Sequence, residues 1–254
     1  MCREGRAAVN PLEHLQGLNV RTDRRHDRRA LAVDEIGWLL DSTAKGPDIR
    51  ELSGPRRALL YKLALETGLR AAELASLTRE SFNLAGDPPT VTVAAGYSKR
   101  RREDSLPMRA DTAAALRDAV ATLLPGVPVF TMPRHRPMAE TLAADLEAAR
   151  TAWLDAAKTD TERERREKTD FLVYRDSSGR YVDFHSLRHT TGSLLAAAGV
   201  HPKVAQSIMR HSDINLTLAR YTHVYSGQEA DAIGKLPDFD VKRAAEKKVE
   251  AENA

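Results

Sequence analysis

The chain has 254 residues, 42% hydrophobic and 30% charged, which fits one large folded domain, or one domain with a small appendage, around a substantial core. Its formal net charge is only +3, so the total does not by itself announce a nucleic-acid partner. The single cysteine, Cys2, excludes a disulfide framework and a cysteine-rich zinc site, no apolar run is long enough to span a bilayer, and the charged opening MCREGRAAVNPLEHL lacks the apolar stretch of a secretory signal, so a reducing, intracellular setting is expected.

Distribution says more than the sum. Residues 1–30 are Arg-rich and weakly periodic, and read as a basic linker. Arg24, Arg25, Arg28 and Arg29 are either part of a solvated tail or phosphate contacts. A helix is expected over about 33–44 with Ile36, Leu39 and Leu40 inward, and another over 55–67 with Leu59, Leu60 and Leu63 buried. Pro55 suits the start of that second helix and Gly68 its C′ position. A further helix opens at Leu69-Arg70, where Arg70 and Glu73 are spaced to share a face and pair.

Thr90–Val93 alternates as a strand should, and Ser105–Met108 resumes the pattern after a basic turn, so a β-hairpin with a cationic tip is expected. The tip carries Lys99, Arg100, Arg101 and Arg102, and Pro107 argues for an edge strand. Residues 111–124 and 139–157 have helical periodicity, and the charged run 158–170 reads as an exposed helical extension. Phe171–Tyr174 reads as a short strand. In 185–221, two amphipathic helices meet at Ala198-Gly199-Val200, with Leu187, Thr191, Leu194, Leu195 and Ala198 on one buried face and Val204, Ala205, Ile208 and Met209 on the other. The fold class is therefore mainly α with a small antiparallel β-sheet (α+β).

Arg70, Lys99, His185, Arg188, His211 and Tyr221 form a set suited to one task. Guanidinium forks match the non-bridging oxygens of a phosphodiester and stabilise charge at a five-coordinate phosphorus. A phenol oxygen can attack that phosphorus and conserve the bond energy in a phosphotyrosyl link. An ordinary Tyr has a pKa of about 10, so a cationic pocket or an imidazole must assist it. A lysine on a hairpin tip can protonate the departing 5′-oxygen.

Four segments, TGLRAAEL (67–74), SKRRREDSLP (98–107), HSLRHT (185–190) and RHSDINLTLARYTHV (210–224), resemble the catalytic domain of the tyrosine recombinases, the lambda-type phage integrase family. The resemblance spans about Ala32 to Gln228 and implies that family's catalytic-domain fold. It also implies catalytic roles for Arg70, Lys99, His185, Arg188, His211 and, as nucleophile, Tyr221, with Glu73 steadying Arg70. Double-stranded DNA is the implied partner, with a homotetramer at synapsis and no cofactor, metal, membrane or small-molecule substrate. The implied division is 1–30 as a basic remnant of a core-binding domain, 31–228 as catalytic domain, and 229–254 as a charged tail that could dock on a neighbouring protomer. The implied setting is the cytoplasm of a prokaryote or mobile-element host.

Three features depart from the family pattern. Met209-Arg210-His211 stands where Leu-Gly-His is usual, and Arg210 is expected either to contact phosphate or to crowd the site. Tyr225 is a rival nucleophile. Only about 30 residues precede the catalytic region, so a truncated remnant that binds or cleaves DNA without recombining it is an alternative. A non-catalytic helix-turn-helix protein would leave Arg70, Lys99 and Tyr221 unexplained. A metal site at His185 and His189 lacks further ligands, and a type IB topoisomerase would share the chemistry without needing a partner protomer.

Overall fold

The first helix, α1 (Val33–Lys45), starts because the backbone N–H of Ala32 finds the Glu35 carboxylate at 2.8 Å. The computed structural model containing it describes residues 27–98, 101–132, 138–225 and 233. Contacts divide the chain into two units, one made from residues 1–58 and 131–187 and the other from 59–130 and 188–254. The stretch expected to be a single catalytic domain is thus shared between them.

In the first unit α1 packs on α5 (Met138–Asp155), with Leu39, Leu142, Leu146 and Ala149 fully buried. The buried Glu35 holds this unit together: it takes both Nη atoms of Arg29 at 2.8 Å and the backbone N–H of Leu172 at 2.7 Å. Burial, the largest influence on Glu35, works to raise its pKa, but these hydrogen bonds overcome it and the carboxyl lies below its ordinary value. Arg57 is fully buried and satisfied by both oxygens of Asp145 at 3.0 Å and by the carbonyls of Pro47 and Leu52 at 2.8 Å.

Charges at 158–170 form a separate exposed helix, α6 (Asp160–Glu167), capped by Thr159, whose hydroxyl accepts the Glu162 N–H at 3.1 Å. Arg166 lies over the Trp153 ring at 4.9 Å, and Trp153 meets Phe171 at 4.4 Å between centroids. Phe171–Tyr174 is not the strand that its composition suggests. Leu172 has φ +60°, outside the extended region, and its N–H serves Glu35 rather than a ladder.

The second unit holds most of α2 (Gly54–Thr67), the short α3 (Ala71–Ala75), a sheet, α4 (Ala110–Val120) and the helices that follow Leu187. The strands β1 (Phe82–Asn83), β2 (Thr90–Val93) and β3 (Asp104–Pro107) pair antiparallel in that order, so the expected hairpin gains a third strand. Pro107 does lie on an edge strand. Asp104 opposes the buried Val93, which turns its carboxylate to the core face of the sheet. α4 stops at Val120, short of the expected end, and Leu124 is exposed.

The helix pair joined at Gly199 is present as α7 (Phe184–Ala197) and α8 (Pro202–Met209), with Gly199 at φ +69°. Ala196, rather than Ala198, faces the core, and Val204 is exposed. The Thr191 hydroxyl donates to the Leu65 carbonyl at 2.9 Å and anchors α7 to α2. The last described helix is α9 (Asn215–Tyr225).

Candidate active site

The site is built around a turn and two helix ends. α2 ends at Gly68 with φ +62°, a conformation that glycine adopts without Cβ strain. A Cβ there would also come within 3.1 Å of the Met209 sulfur. The reversal at Gly68 delivers Arg70 to the N-cap of α3. Glu73, one turn on and buried, accepts the Arg70 N–H at 2.8 Å through Oε2 and Arg70 Nη1 at 3.1 Å through Oε1. One carboxylate therefore fixes both the helix start and the guanidinium, while the Arg70 side chain stays 31% exposed.

Arg188, on α7, is buried and donates to the backbone carbonyls of Gly68 and Met209. It thereby ties the turn before Arg70 to the end of α8. No carboxylate among the described residues is bonded to it. Burial first, then the nearby charges of Arg70 and Arg210, lowers its pKa to about 10, with Glu73 opposing. Arg70, Arg188, Arg210 and Glu73 therefore lie close enough to feel one another.

Arg210 is not placed as a phosphate contact. It caps α8 in the left-handed conformation, φ 52° and ψ 41°, where a side chain costs roughly 1–2 kcal/mol relative to the right-handed region. Its side chain is 2% exposed, with Nη2 donating to Glu73 and Nη1 lying 3.6 Å from Asp104. Its Nε has no acceptor among the described residues.

His211 follows directly. Its N–H donates to the Gln206 carbonyl at 3.1 Å, and its Nδ1 lies 2.9 Å from the Thr217 hydroxyl on α9. These contacts fix the ring's orientation. Tyr221, on the same helix, is buried against Ala196 and Ala205, with Leu195 and Val200 beside it, and its hydroxyl donates to the Val200 carbonyl. The phenol is thus docked on the protein.

His185 is exposed in the first turn of α7, three residues before Arg188, and belongs to the first unit. Lys99, Arg100, Arg24 and Arg25 fall outside the described residues, as do the side chains of His223 and Tyr225. Arg101 and Arg102 are exposed, and Arg102 pairs with Asp104 at 2.9 Å. The expected basic arm ends sooner than its composition suggests. Arg28 grips Asp183 at 2.7 Å, and Arg29 is committed to Glu35 and to the carbonyls of Asp170 and Val173.

Asp104, Gln206 and Thr217 complete the arrangement but carry no signal in the sequence. The strand register brings Asp104 to its partners, the packing of α8 on α9 brings Thr217 to His211, and Gln206 meets His211 across the end of α8. Among the described residues, no group of three or more His, Cys, Asp or Glu is arranged to hold a metal ion, and no helix is long and apolar enough to cross a membrane.

Known proteins share the fold and parts of the sequence. A tyrosine recombinase XerC-like protein of Caldanaerobacter subterraneus subsp. tengcongensis is 37% identical over 59 residues, 23% of this chain and 15% of that relative. The catalytic domain of bacteriophage HP1 integrase has a similar fold, with a TM-score of 0.51 and 17% identity over 85% of this chain and 98% of that one. A XerH site-specific recombinase in a post-cleavage complex with palindromic difH substrate matches with a TM-score of 0.55 and 19% identity, over 89% of this chain and 58% of that one. The characteristic sequence pattern of the phage integrase family covers residues 29–228. The chain belongs to the phage integrase family, the tyrosine recombinases.

Proposed function

We propose that the protein is a site-specific DNA recombinase that cleaves and rejoins strands through a 3′-phosphotyrosyl intermediate at Tyr221. The observation that carries this reading is a surplus of cationic groups. Arg70, Arg188 and Arg210 share the surroundings of Glu73, and among the described residues Arg188 has backbone carbonyls rather than a carboxylate as partners. A buried cation without a counter-ion is costly unless an anion completes the site, and a phosphodiester is the anion that two guanidinium forks fit.

In the proposed reaction the Tyr221 oxygen attacks the scissile phosphorus and the bond to the 5′-oxygen breaks. Arg70 and Arg188 stabilise charge on the non-bridging oxygens, with His185 and His211 as further donors or bases. Lys99 gives a proton to the departing 5′-oxygen. A 5′-hydroxyl from another strand then attacks the phosphotyrosyl link, releases Tyr221 and restores the diester. Duplex DNA is the partner, and a tetramer assembles on it to exchange strands.

Tyr221 must first leave the Val200 carbonyl, so its docked hydroxyl supports a free protein that is inactive until it meets DNA. The same observation favours, as second reading, a chain that binds DNA without cutting it. Both are tested with a pool of nicked duplexes of randomised sequence, incubated with and without EDTA and then denatured. A covalent adduct is expected in both conditions, mapping to Tyr221 and absent from Tyr221→Phe. An adduct that maps to Tyr225 or disappears with EDTA overturns the mechanism, and DNA binding without any adduct selects the second reading.

A further inference from the structure

We infer that Arg210 is a positioning residue: an internal counter-ion that joins Glu73, the anchor of Arg70, to Asp104 at the base of the cationic hairpin. The inference rests on the recombinase reading above and adds to it a residue that stands where the family pattern has glycine.

Geometry carries it. A non-glycine residue in the left-handed conformation at a helix end is an unusual choice, and here it aims the guanidinium inward. Nη2 reaches the Glu73 oxygen that also holds the Arg70 N–H, while Nη1 faces the Asp104 carboxylate on β3. Asp104 in turn accepts Arg102 Nε at 2.9 Å and the Ser98 hydroxyl at 3.4 Å, so it clasps both arms of the hairpin. One guanidinium therefore spans from α3 to β3. On either side of it in sequence, the Met209 carbonyl takes Arg188 and His211 is held by Gln206 and Thr217.

Without Arg210, two buried carboxylates would share the interior with less positive charge between them. Glu73 would then draw Arg70 more tightly to itself and away from a phosphate. The hairpin base would lose its tie to the arginines. Arg210 at 2% exposure acts on the reaction through these two carboxylates rather than by touching DNA.

Single-turnover cleavage of nicked duplexes recovered from the randomised pool tests this, together with the salt dependence of DNA binding and thermal unfolding. Arg210→Ala is expected to lower the cleavage rate by roughly 100-fold, the loss typical of misplaced catalytic groups, with DNA affinity little changed. Arg210→Lys should recover part of that loss by keeping the charge without the fork. Adding Asp104→Asn to Arg210→Ala should raise the rate above that of Arg210→Ala alone, because it removes the buried negative charge that Arg210 no longer offsets and leaves Arg102 to the hairpin. A fall of about one in the salt slope of DNA binding for Arg210→Ala would mark a direct phosphate contact and overturn the proposal. A double variant slower than Arg210→Ala would overturn it too. Should the wild-type protein form no adduct, the recombinase reading fails separately. The counter-ion role is then read from unfolding, where the double variant must melt above Arg210→Ala and a lower melting point refutes it.

Discussion

The two units treat buried arginine in opposite ways. In the first, Arg57 meets Asp145 fork to fork and its remaining hydrogens go to two carbonyls, so charge and hydrogen bonds both balance. The charge of Arg29 is likewise balanced by Glu35, although its Nε has no acceptor among the described residues. In the second, Arg70, Arg188 and Arg210 gather around Glu73, Asp104 is shared with Arg102, and Arg188 has no carboxylate partner among the described residues. The first pattern is what stability alone requires of a buried ion pair. The second leaves positive charge in excess among the described residues, which is what the phosphodiester site proposed above would need.

The contrast can be broken most forcefully at the shared carboxylate. Glu73→Ala leaves the buried Arg210 with only Asp104, at 3.6 Å, and releases Arg70, and should destabilise the fold by about 3–5 kcal/mol in denaturant titration. Asp145→Ala should cost a similar amount by stranding Arg57, but with no specific loss of affinity for a phosphodiester. Equal effects of the two variants on DNA affinity, once stability is allowed for, would erase the distinction between the units.

Arg188→Ala is the next largest. Loss of a preorganised donor to the transition state is expected to lower single-turnover cleavage by about 10²–10³-fold while leaving most non-specific DNA affinity. Equal loss of cleavage and binding would deny it the assigned role. Gly68→Ala follows, since it combines a left-handed backbone with a tight approach to Met209. A stability loss of roughly 1–2 kcal/mol is expected, with a lower cleavage rate as Arg70 shifts.

The smallest effect lies in the first unit. The folded-state pKa of Glu35 is lowered, so its contribution to stability is present above the ordinary value of 4.5 and fades as the pH falls through the depressed one. Melting temperature measured against pH should therefore drop below about pH 4.5, and Glu35→Gln should flatten that drop. A variant with an unchanged acid profile would remove Glu35 from the account.

Where periodicity speaks, the sequence is legible. α1, α2, α5 and the β2–β3 hairpin fall close to the expected spans because their apolar spacing and punctuating Gly and Pro are local. Arg70 and Glu73 do pair, since three residues is a helical neighbour distance. Phe171–Tyr174 misleads because its aromatic and branched residues favour a strand, whereas the Leu172 N–H is claimed by a glutamate far away in sequence. Arg28, Arg29 and Arg210 mislead for one reason: composition shows the charge of a side chain but not whether a distant carboxylate has already claimed it.

By itself, then, the sequence determined which groups are available: the arginines, imidazoles and phenol, their order along the chain, and the helices and hairpin that carry them. Side-chain type and short-range spacing are written directly in the chain. Only the tertiary structure decided that Arg210 turns inward to Glu73 and Asp104, that Thr217 orients His211, and that Tyr221 rests on the Val200 carbonyl. Each of these depends on a backbone turn or a strand register that brings remote residues together, and the free energy of burying a charge is set by those neighbours.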